Sequence, residues 1–281
     1  MLKIENVSYS YRKGAIAVDD ASAEIGAGIY LLLGENGAGK TTLLHLMSGL
    51  LFPKSGQCLF DGIDTSRRSP ATTSRMFFMP DDFTWPFPSI VELARRHGLF
   101  YPTFNYEMMY ANLEDFGLTG KEKLRSLSLG MRRKSYMAYA LALGVDCLLL
   151  DEPTNGMDID SKKVMRKIMS RCVGDEQSVV ISTHNVHDLY SMFDNIIVMR
   201  HGRLRVSMPI GEILERVAFV SSPSPIDGCI YQEPDMGRFK AIIPNEHHID
   251  TDMDYPLFYS AIMAPVGDMF IDFLTSKDLV L

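Results

Sequence analysis

Apolar residues recur along the chain in two patterns, and both predict strands. Leu2–Tyr9 alternates apolar and polar positions, which is typical of a strand with one buried face. Ile29–Leu33 and Cys147–Leu150 are continuously apolar, as in strands that a parallel sheet buries on both faces. Further strands are predicted at Ala21–Ile25, Cys58–Phe60, Met76–Met79 and Ser178–Ser182, followed by a hairpin of Asn195–Met199 with Leu204–Ser207.

Helical patterns lie between these strands. Thr41–Gly49 predicts a helix that ends at its glycine, and Ser161–Cys172 predicts another. The pattern is also mostly helical over Ser89–Phe116 and from Ser128 through Leu143. Strands that alternate with helices around apolar runs predict an α/β sheet, here with a helical insertion over residues 85–145.

The composition excludes several classes of protein. Of the 281 residues, 46% are hydrophobic and 22% are charged, which is close to the average for a soluble globular chain and excludes disordered, collagen-like and disulfide-rich proteins. The longest apolar runs are far shorter than the ~20 residues that a membrane span needs, and no secretory leader is evident. We therefore expect a cytoplasmic protein that associates with a membrane only through a partner.

The charge is distributed unevenly along the chain. Residues 209–281 carry 12 Asp and Glu against 4 Lys and Arg, whereas residues 1–208 carry 23 against 24. This step predicts a main domain over residues 1–208 and a small acidic C-terminal extension over residues 209–281, whose role the sequence leaves open. Neither part is basic enough to predict nucleic acid as a partner.

A phosphate-binding loop is the strongest chemical signal in the sequence. Gly34–Thr41 matches the pattern GxxxxGK[ST] between a buried strand and a helix. The glycines let backbone N–H groups surround phosphate oxygens, and the helix N-terminus adds a positive dipole end. We expect Lys40 to reach the β- and γ-phosphates and the Thr41 hydroxyl to bind Mg²⁺. The alternative is a purely structural glycine-rich turn.

Acidic and histidine side chains follow two later strands. Cys147–Leu150 runs into Asp151 and Glu152, so that Asp151 can hold Mg²⁺ and Glu152 can act as general base toward water. His184 follows the strand Ser178–Ser182 and should lie near the phosphates, because the carboxyl ends of parallel strands share one sheet edge. An acidic pair in solvent and a structural histidine are the alternatives.

A second helix start is suited to an anion. Ser128 is the expected N-cap of a helix that contains Gly130 and begins 23 residues before Asp151. Taken in isolation, Ser128 would be read only as a cap. One chain then supplies two anion-binding helix starts but a single phosphate loop.

These motifs, in this order and at this spacing, make residues 1–208 resemble the ATP-binding subunit of an ABC (ATP-binding cassette) transporter. The resemblance implies a P-loop NTPase core with a mixed sheet, an antiparallel β subdomain and an inserted α-helical subdomain, with residues 209–281 as a small appendage. It also implies that two such subunits, identical or different, close head to tail on ATP and drive an integral membrane permease.

The resemblance assigns further residues to the ATP site. Tyr11 would stack on adenine, and Asp158 would match the aspartate of the loop that follows the acidic pair. Leu127–Met131, which we call the signature segment, takes the place of the family sequence LSGGQ. The residues expected to contact ATP are Tyr11, Gly34, Asn36, Gly37, Ala38, Gly39, Lys40, Thr41, Thr42, Ser128, Gly130 and Asp158. Glu152 and His184 are the expected catalytic residues, and Thr41, Asp81 and Asp151 the expected Mg²⁺ ligands.

The chain departs from the family pattern at two places in the motifs. The signature segment has Leu129 for the first glycine and Met131 for glutamine. Asp81 stands where the family has a glutamine after the strand Met76–Met79. A carboxylate there can still bind Mg²⁺, whereas the alternative is a simple turn at Pro80–Asp82.

Aromatic residues are concentrated in the helical insertion. Residues 77–116 hold 11 of the 28 aromatic residues of the chain. In the resembled family this segment meets the membrane subunit, and core packing is the alternative. The cluster includes Phe83, Trp85, Phe87, Phe100, Tyr101, Phe104 and Tyr106.

Two functions remain for the sequence to distinguish. The first is a Mg²⁺-dependent ATPase whose dimer closure powers a separate permease. The second is a regulatory switch of the same family that binds ATP without transporting anything. The single phosphate loop and the short helical insertion disfavour the soluble family members with two cassettes or a long coiled coil.

Overall fold

The computed structural model describes residues 1–12, 14–82, 86–184 and 192–276, and strands and helices occur in each of these ranges. In chain order the strands are β1 (Leu2–Ser10), β2 (Ile16–Ile25), β3 (Gly28–Leu33), β4 (Ser55–Phe60), β5 (Ile63–Asp64), β6 (Met76–Met79), β7 (Cys147–Asp151), β8 (Ser178–Ser182), β9 (Asn195–Arg200), β10 (Arg203–Pro209), β11 (Val217–Ser222), β12 (Tyr231–Asp235) and β13 (Arg238–Pro244). The helices are α1 (Lys40–Met47), α2 (Pro70–Thr73), α3 (Ile90–His97), α4 (Tyr106–Asp115), α5 (Leu129–Leu141), α6 (Ile159–Cys172), α7 (Ile210–Arg216), α8 (Tyr255–Met263) and α9 (Gly267–Thr275).

The strands form three sheets. The central sheet has the order β10-β9-β3-β8-β7-β6 and is parallel except for the β9–β10 hairpin. An antiparallel sheet has the order β2-β1-β4-β5, and a smaller one in the C-terminal part has the order β11-β13-β12. The expected mixed sheet and antiparallel sheet are therefore confirmed.

The central sheet is buried on both faces and separates two apolar layers. Every residue of β7 and β8 is buried, as their continuous apolar sequences predict. Because successive side chains point to opposite faces of a strand, Leu148 and Leu150 join one layer and Leu149 joins the other. The first layer, which we call the insertion layer, also contains side chains of α3–α5 and of the C-terminal helices. The second, the loop layer, contains α1 and the antiparallel sheet.

The helices follow the sequence expectations with local differences. α1 ends at Met47, two residues before Gly49, which has a φ of 69°. Ser128 is confirmed as the N-cap of α5, since its hydroxyl accepts a hydrogen bond from the Met131 N–H at 3.3 Å. The helical pattern over residues 89–116 is divided into α3 and α4 by a 3₁₀ turn at Gly98–Phe100.

The C-terminal part packs onto the central sheet. Phe258 of α8 and Phe270 of α9 are fully buried, lie 5.6 Å apart between ring centroids and belong to the insertion layer. Arg200 of β9 donates a hydrogen bond to the Ile262 carbonyl oxygen at 3.1 Å, and Arg205 of β10 pairs with Asp268 at 2.9 Å. No element is predicted here from the sequence pattern, although Asp254, the N-cap of α8, and Pro256 in its first turn are local signals of a helix start.

In the part of the chain that the structure describes, no single helix has the length and hydropathy to cross a membrane. α8 and α9 reach these values only as a pair, and this pair is bent by 114°.

Phe258→Ala tests whether the C-terminal part and the sheet share one core. The substitution should lower the free energy of unfolding by about 3–5 kcal/mol, because it leaves a cavity in a fully buried layer. Met269→Ala, at an exposed position of α9, should change it by less than about 0.5 kcal/mol. Urea unfolding measures both. A separate transition of the C-terminal part, with the main transition unchanged, would contradict a shared core and would support the predicted division at residue 208.

Candidate active site

Three neighbouring strands of the central sheet end at one cleft. β3 leads into the phosphate loop Gly34–Thr41, β7 ends at Asp151 before Glu152, and β8 is followed within two residues by His184. The cleft has a volume of about 470 Å³. Its walls are formed by Tyr11, Ala15, Ile16, Ala17, Glu35, Asn36, Gly37, Gly39, Lys40, Thr41, Thr42, Asp81, Glu152, Asn155 and His184. Most of the residues expected to bind ATP thus lie around one space.

The phosphate loop requires glycine at two positions. Gly37 has a φ of 84° and Gly39 a φ of 104°, in the left-handed region that other residues rarely adopt. A Cβ atom at Gly39 would also collide with the backbone carbonyl oxygen of Ala17 on β2. Gly39 is the N-cap of α1, so the loop turns directly into the helix N-terminus. Ala38 is a buried residue of the loop, and Gly34 is its first residue, directly after β3.

Lys40 is held inside the loop. Its Nζ donates hydrogen bonds to the carbonyl oxygens of Gly34 at 2.7 Å and Glu35 at 3.2 Å. Burial lowers the pKa of Lys40, and the carboxylates of Glu152 and Asp151 act in the opposite direction. The ammonium group is thereby held at the centre of the loop.

Asp151 is the most deeply buried carboxylate of the site, with 2% of the residue exposed. Its Oδ2 accepts a hydrogen bond from the Thr41 hydroxyl at 2.8 Å, and its Oδ1 accepts one from the Ser182 hydroxyl at 2.5 Å. Asp151, at the end of β7, therefore joins Thr41, the last residue of the phosphate loop, to Ser182 at the end of β8. Mg²⁺ prefers oxygen ligands such as the Thr41 hydroxyl and the Asp151 carboxylate. The carboxylate of Asp81, which lines the cleft, is a third oxygen donor of this kind.

Glu152 and His184 form a pair in the cleft. The Nδ1 of His184 lies 2.8 Å from Oε1 of Glu152, and the His184 backbone N–H donates to Oε2 at 3.4 Å. Glu152 has a φ of 45°, which is unusual for a residue with a side chain. Its own N–H donates to the hydroxyl and the carbonyl oxygen of Ser182, both at 3.1 Å. This backbone conformation aims the carboxylate at His184.

Asp81 lines the same cleft on the side of the helical insertion. Its Oδ1 accepts hydrogen bonds from Arg133 Nη2 at 2.8 Å and from Asn155 Nδ2 at 3.1 Å. The side chain is about half exposed, so Asp81 is open to the cleft while one of its oxygens is bound by two donors. Phe83 and Trp85, which follow it, lie outside the described residues.

Tyr11 lies at the rim of the cleft. Its hydroxyl is 3.1 Å from the Thr42 hydroxyl, and its ring packs edge-on against Tyr9 at 5.1 Å between centroids. The residue is 47% exposed. An exposed ring beside the phosphate loop is compatible with stacking on a base, which stays a prediction.

The signature segment is not part of this cleft. Among the described residues that line the cleft, none belongs to Leu127–Met131. Leu129 is 52% exposed, while Gly130 packs so closely on the Gly156 carbonyl oxygen that a Cβ atom would not fit. Asp158 is the exposed N-cap of α6, and hydrogen bonds from the Ser161 hydroxyl and N–H lower its pKa to about 2. Ser128, Gly130 and Asp158 thus lie apart from the phosphate loop of their own chain.

Three further side chains of the site were not predicted from the sequence. Ser182 orients both Asp151 and Glu152, and its place at the end of a buried strand two residues before His184 is a usable signal. Arg133 and Asn155 hold Asp81. Their positions in the sequence carry no signal, because the contacts form only when the insertion packs on the sheet.

Comparisons with known proteins identify the family. A family model described as ABC transporter matches residues 18–155. An ABC transporter ATP-binding protein of Pyrococcus furiosus is 30% identical over 224 residues, which cover 76% of this chain and 86% of the relative. This chain belongs to the family of ABC transporter ATP-binding proteins. The cassette is also 30% identical to the ABC transporter ATP-binding protein NatA of Bacillus subtilis, over 69% of this chain and 82% of NatA.

Solved structures share the fold of the cassette. A dimeric ATP-binding cassette bound to ADP and phosphate has a TM-score of 0.64 and 22% identity, over 75% of this chain and 99% of the other. A cobalt transport ATP-binding protein has a TM-score of 0.68 and 21% identity, over 96% of this chain and 100% of the other. The second likeness therefore extends into the C-terminal part of the cassette. At these identities both comparisons concern the fold alone.

Gly39→Ala and Gly37→Ala separate backbone strain from collision in the loop. Gly37→Ala should lower the free energy of unfolding by about 1–2 kcal/mol, the cost of placing a side chain in the left-handed region. Gly39→Ala should lower it further, because its methyl group would also meet the Ala17 carbonyl oxygen. Urea unfolding without nucleotide measures the difference. Equal losses for the two variants would contradict the close approach of β2 to the loop.

Proposed function

We propose that this cassette binds and hydrolyses ATP as one subunit of a transporter and powers a separate membrane permease by ATP-driven closure of a dimer. One observation carries the proposal. The lysine of the phosphate loop, Thr41 and the Glu152–His184 pair line a single cleft, and the buried Asp151 binds the Thr41 hydroxyl there. A triphosphate, its metal ion and an attacking water each have a matching group there.

ATP binding rests on the phosphate loop. The N–H groups at the start of α1 and the ammonium of Lys40 supply positive charge to the β- and γ-phosphates. Tyr11, at the rim, supplies a ring face for adenine.

A Mg²⁺ ion fits the oxygen donors beside the phosphate loop. Thr41 and Asp151 would hold it, with Asp81 as the third candidate on the same cleft. When bound, Mg²⁺ would neutralise negative charge on the phosphates during phosphoryl transfer. Ser182 fixes the Asp151 carboxylate for this task by donating to its other oxygen.

Glu152 is the proposed general base. Its carboxylate would accept a proton from water as the water oxygen bonds to the γ-phosphorus and the bond from that phosphorus to the bridging oxygen of ADP breaks. His184 keeps that carboxylate in place through contacts from both its ring and its backbone N–H. Ser182 and the unusual backbone of Glu152 fix the direction from the other side.

A second cassette would complete the site. Ser128 and Gly130 begin a helix whose N-terminus is not part of the cleft of its own chain, so they suit the γ-phosphate of a partner's ATP. The same head-to-tail arrangement would place Asp158 at the interface. The exposed side chains of Leu129 and Met131 would be covered there.

An apolar surface, formed by the helical insertion and by the segment that follows α1, suits the permease. Leu50, Phe52, Leu99 and Phe100 are exposed, with Phe100 at 69%. Leu50 lines a groove of about 250 Å³ whose wall includes His97 and Tyr101, the residues on either side of the 3₁₀ turn that carries Leu99 and Phe100. Clustered exposed aromatic residues are typical anchors of protein interfaces. The cassette would then lie on the inner face of the cell membrane through this contact.

A regulatory switch without transport is the second candidate. It would use the same ATP site and dimer but would not need the apolar surface. Co-purification of an integral membrane protein with the cassette distinguishes the two.

Glu152→Gln tests the proposed base. The variant should bind ATP within about threefold of the wild type, because the phosphate loop is intact, and should hydrolyse it at least about 100-fold more slowly. It should also accumulate as an ATP-bound dimer, which light scattering detects. Lys40→Ala should instead weaken ATP binding about 10-fold or more, because a charge-assisted contact is lost. Phosphate release close to the wild-type rate in Glu152→Gln would exclude Glu152 as the base.

Phe100→Ser tests the permease surface. Loss of an exposed aromatic anchor should reduce recovery of the permease at least about 10-fold when the cassette is isolated from native membranes. ATP hydrolysis by the isolated cassette should be unchanged. Met269→Ser, at an exposed position of α9, is the matched control and should recover the permease fully. Equal recovery with both variants would remove the surface from the interface.

A further inference from the structure

Arg133 is a buried charge that the mechanism above does not use. It lies one turn into α5, the helix that begins at Ser128, and its side chain is 2% exposed. A buried guanidinium is costly unless a counter-charge and hydrogen bonds compensate most of it, and here only the Nε–H finds no partner among the described residues. Its partners therefore indicate what it holds.

Both of its terminal nitrogens bind residues of the active site. Nη1 donates to the Glu152 carbonyl oxygen. Nη2 donates to the carbonyl oxygen of Asp81 at 2.5 Å and to its Oδ1 at 2.8 Å. One side chain of α5 thus fixes two segments that are 71 positions apart in sequence and meet at the cleft.

The contact with Asp81 orients a carboxylate. Oδ1 is shared by Arg133 and by Asn155 Nδ2, which prevents rotation of the group. Because Asp81 lines the cleft, its remaining acceptor capacity is available to a cation bound there. Release of Asp81 from Arg133 would leave a buried charge without its carboxylate. We therefore expect Asp81 to act from this position rather than to swing toward the phosphate loop.

The contact with Glu152 holds an unusual backbone. A φ of 45° at this residue needs support from its surroundings. Ser182 binds the N–H of Glu152, and Arg133 binds its carbonyl oxygen. The peptide groups on both sides of the residue are thereby fixed, and with them the direction of its carboxylate.

We propose that Arg133 is a positioning residue for ATP hydrolysis, which holds the Asp81 carboxylate and the Glu152 backbone in their working geometry. This inference rests on the proposed hydrolytic function. Through these contacts Arg133 links α5, the helix that begins at the signature segment, to Glu152, the proposed general base in the cleft of the same chain. Among the described residues, the hydrogen bonds of Arg133 reach Asp81 and Glu152 and not the phosphate loop, so we expect ATP binding itself not to depend on Arg133.

The test is a set of variants at both ends of the contact. Arg133→Gln should lower kcat at least about 30-fold and change KM for ATP by less than about threefold. Arg133→Lys keeps the charge but loses the second nitrogen, and should recover part of that kcat. Asp81→Asn should leave ATP affinity without Mg²⁺ unchanged and should reduce the gain in affinity that Mg²⁺ brings, as calorimetry measures. Because Arg133 acts partly through Asp81, the fold-decrease in kcat of the double variant Asp81→Asn/Arg133→Gln should be smaller than the product of the fold-decreases in the two single variants.

Arg171→Gln is the matched control for stability. Arg171 of α6 pairs with Asp115 of α4 at 2.8 Å and does not line the cleft. It should lower the melting temperature and leave kcat unchanged.

The outcomes separate this inference from the function on which it rests. A folded Arg133→Gln with kcat within twofold of an active wild type would overturn the inference alone, as would an equal loss of kcat in Arg171→Gln. A wild type without ATPase activity would remove the proposed function and the inference together. If Arg133→Gln does not fold, Arg133→Lys and Asp81→Asn decide: wild-type kcat and an undiminished Mg²⁺ effect in these variants would overturn the proposal.

Discussion

The site depends on one carboxylate that is buried away from bulk solvent. Asp151 lies at the end of a fully buried strand, so its two oxygens must find donors within the protein. They find them in the Thr41 hydroxyl and the Ser182 hydroxyl. Ser182 in turn binds the backbone of Glu152, whose carboxylate contacts His184. The need to satisfy Asp151 thus fixes the ends of three strands relative to one another.

Much of this arrangement could be predicted from local sequence. The continuous apolar runs identified the buried strands, and β6 and β8 have the predicted bounds. The spacing of the phosphate loop and the acidic pair placed the cleft, because parallel strands end at one edge. The N-cap at Ser128 followed from the chemistry of its hydroxyl alone. In each case the residues that determine the feature lie close together along the chain.

Other features depend on residues that are distant in sequence. Residues 209–281 taken alone do not indicate that α9 packs on β10, because the two elements lie far apart in the chain and meet only in the fold. Arg133 stands in the basic run Arg132–Lys134, where nothing in the sequence distinguishes it from its neighbours, yet it is buried and bound to Asp81 and Glu152. The sequence also divided the chain by charge at residue 208. Shared packing does not follow charge, and apolar side chains from both sides of that boundary lie in one layer.

The division of the interior by the central sheet has a consequence for how the protein tolerates change. The insertion layer runs without interruption from Phe77, through α5, to Leu274 in α9, while the loop layer lies across the sheet. Close-packed side chains transmit strain within a layer, whereas the backbone of a sheet is stiff between layers. A volume change in the helical insertion therefore acts first on α6, which contacts both α4 and α5, and less on the loop layer across the central sheet. The antiparallel sheet can thus accept substitutions with little effect on the packing of the insertion.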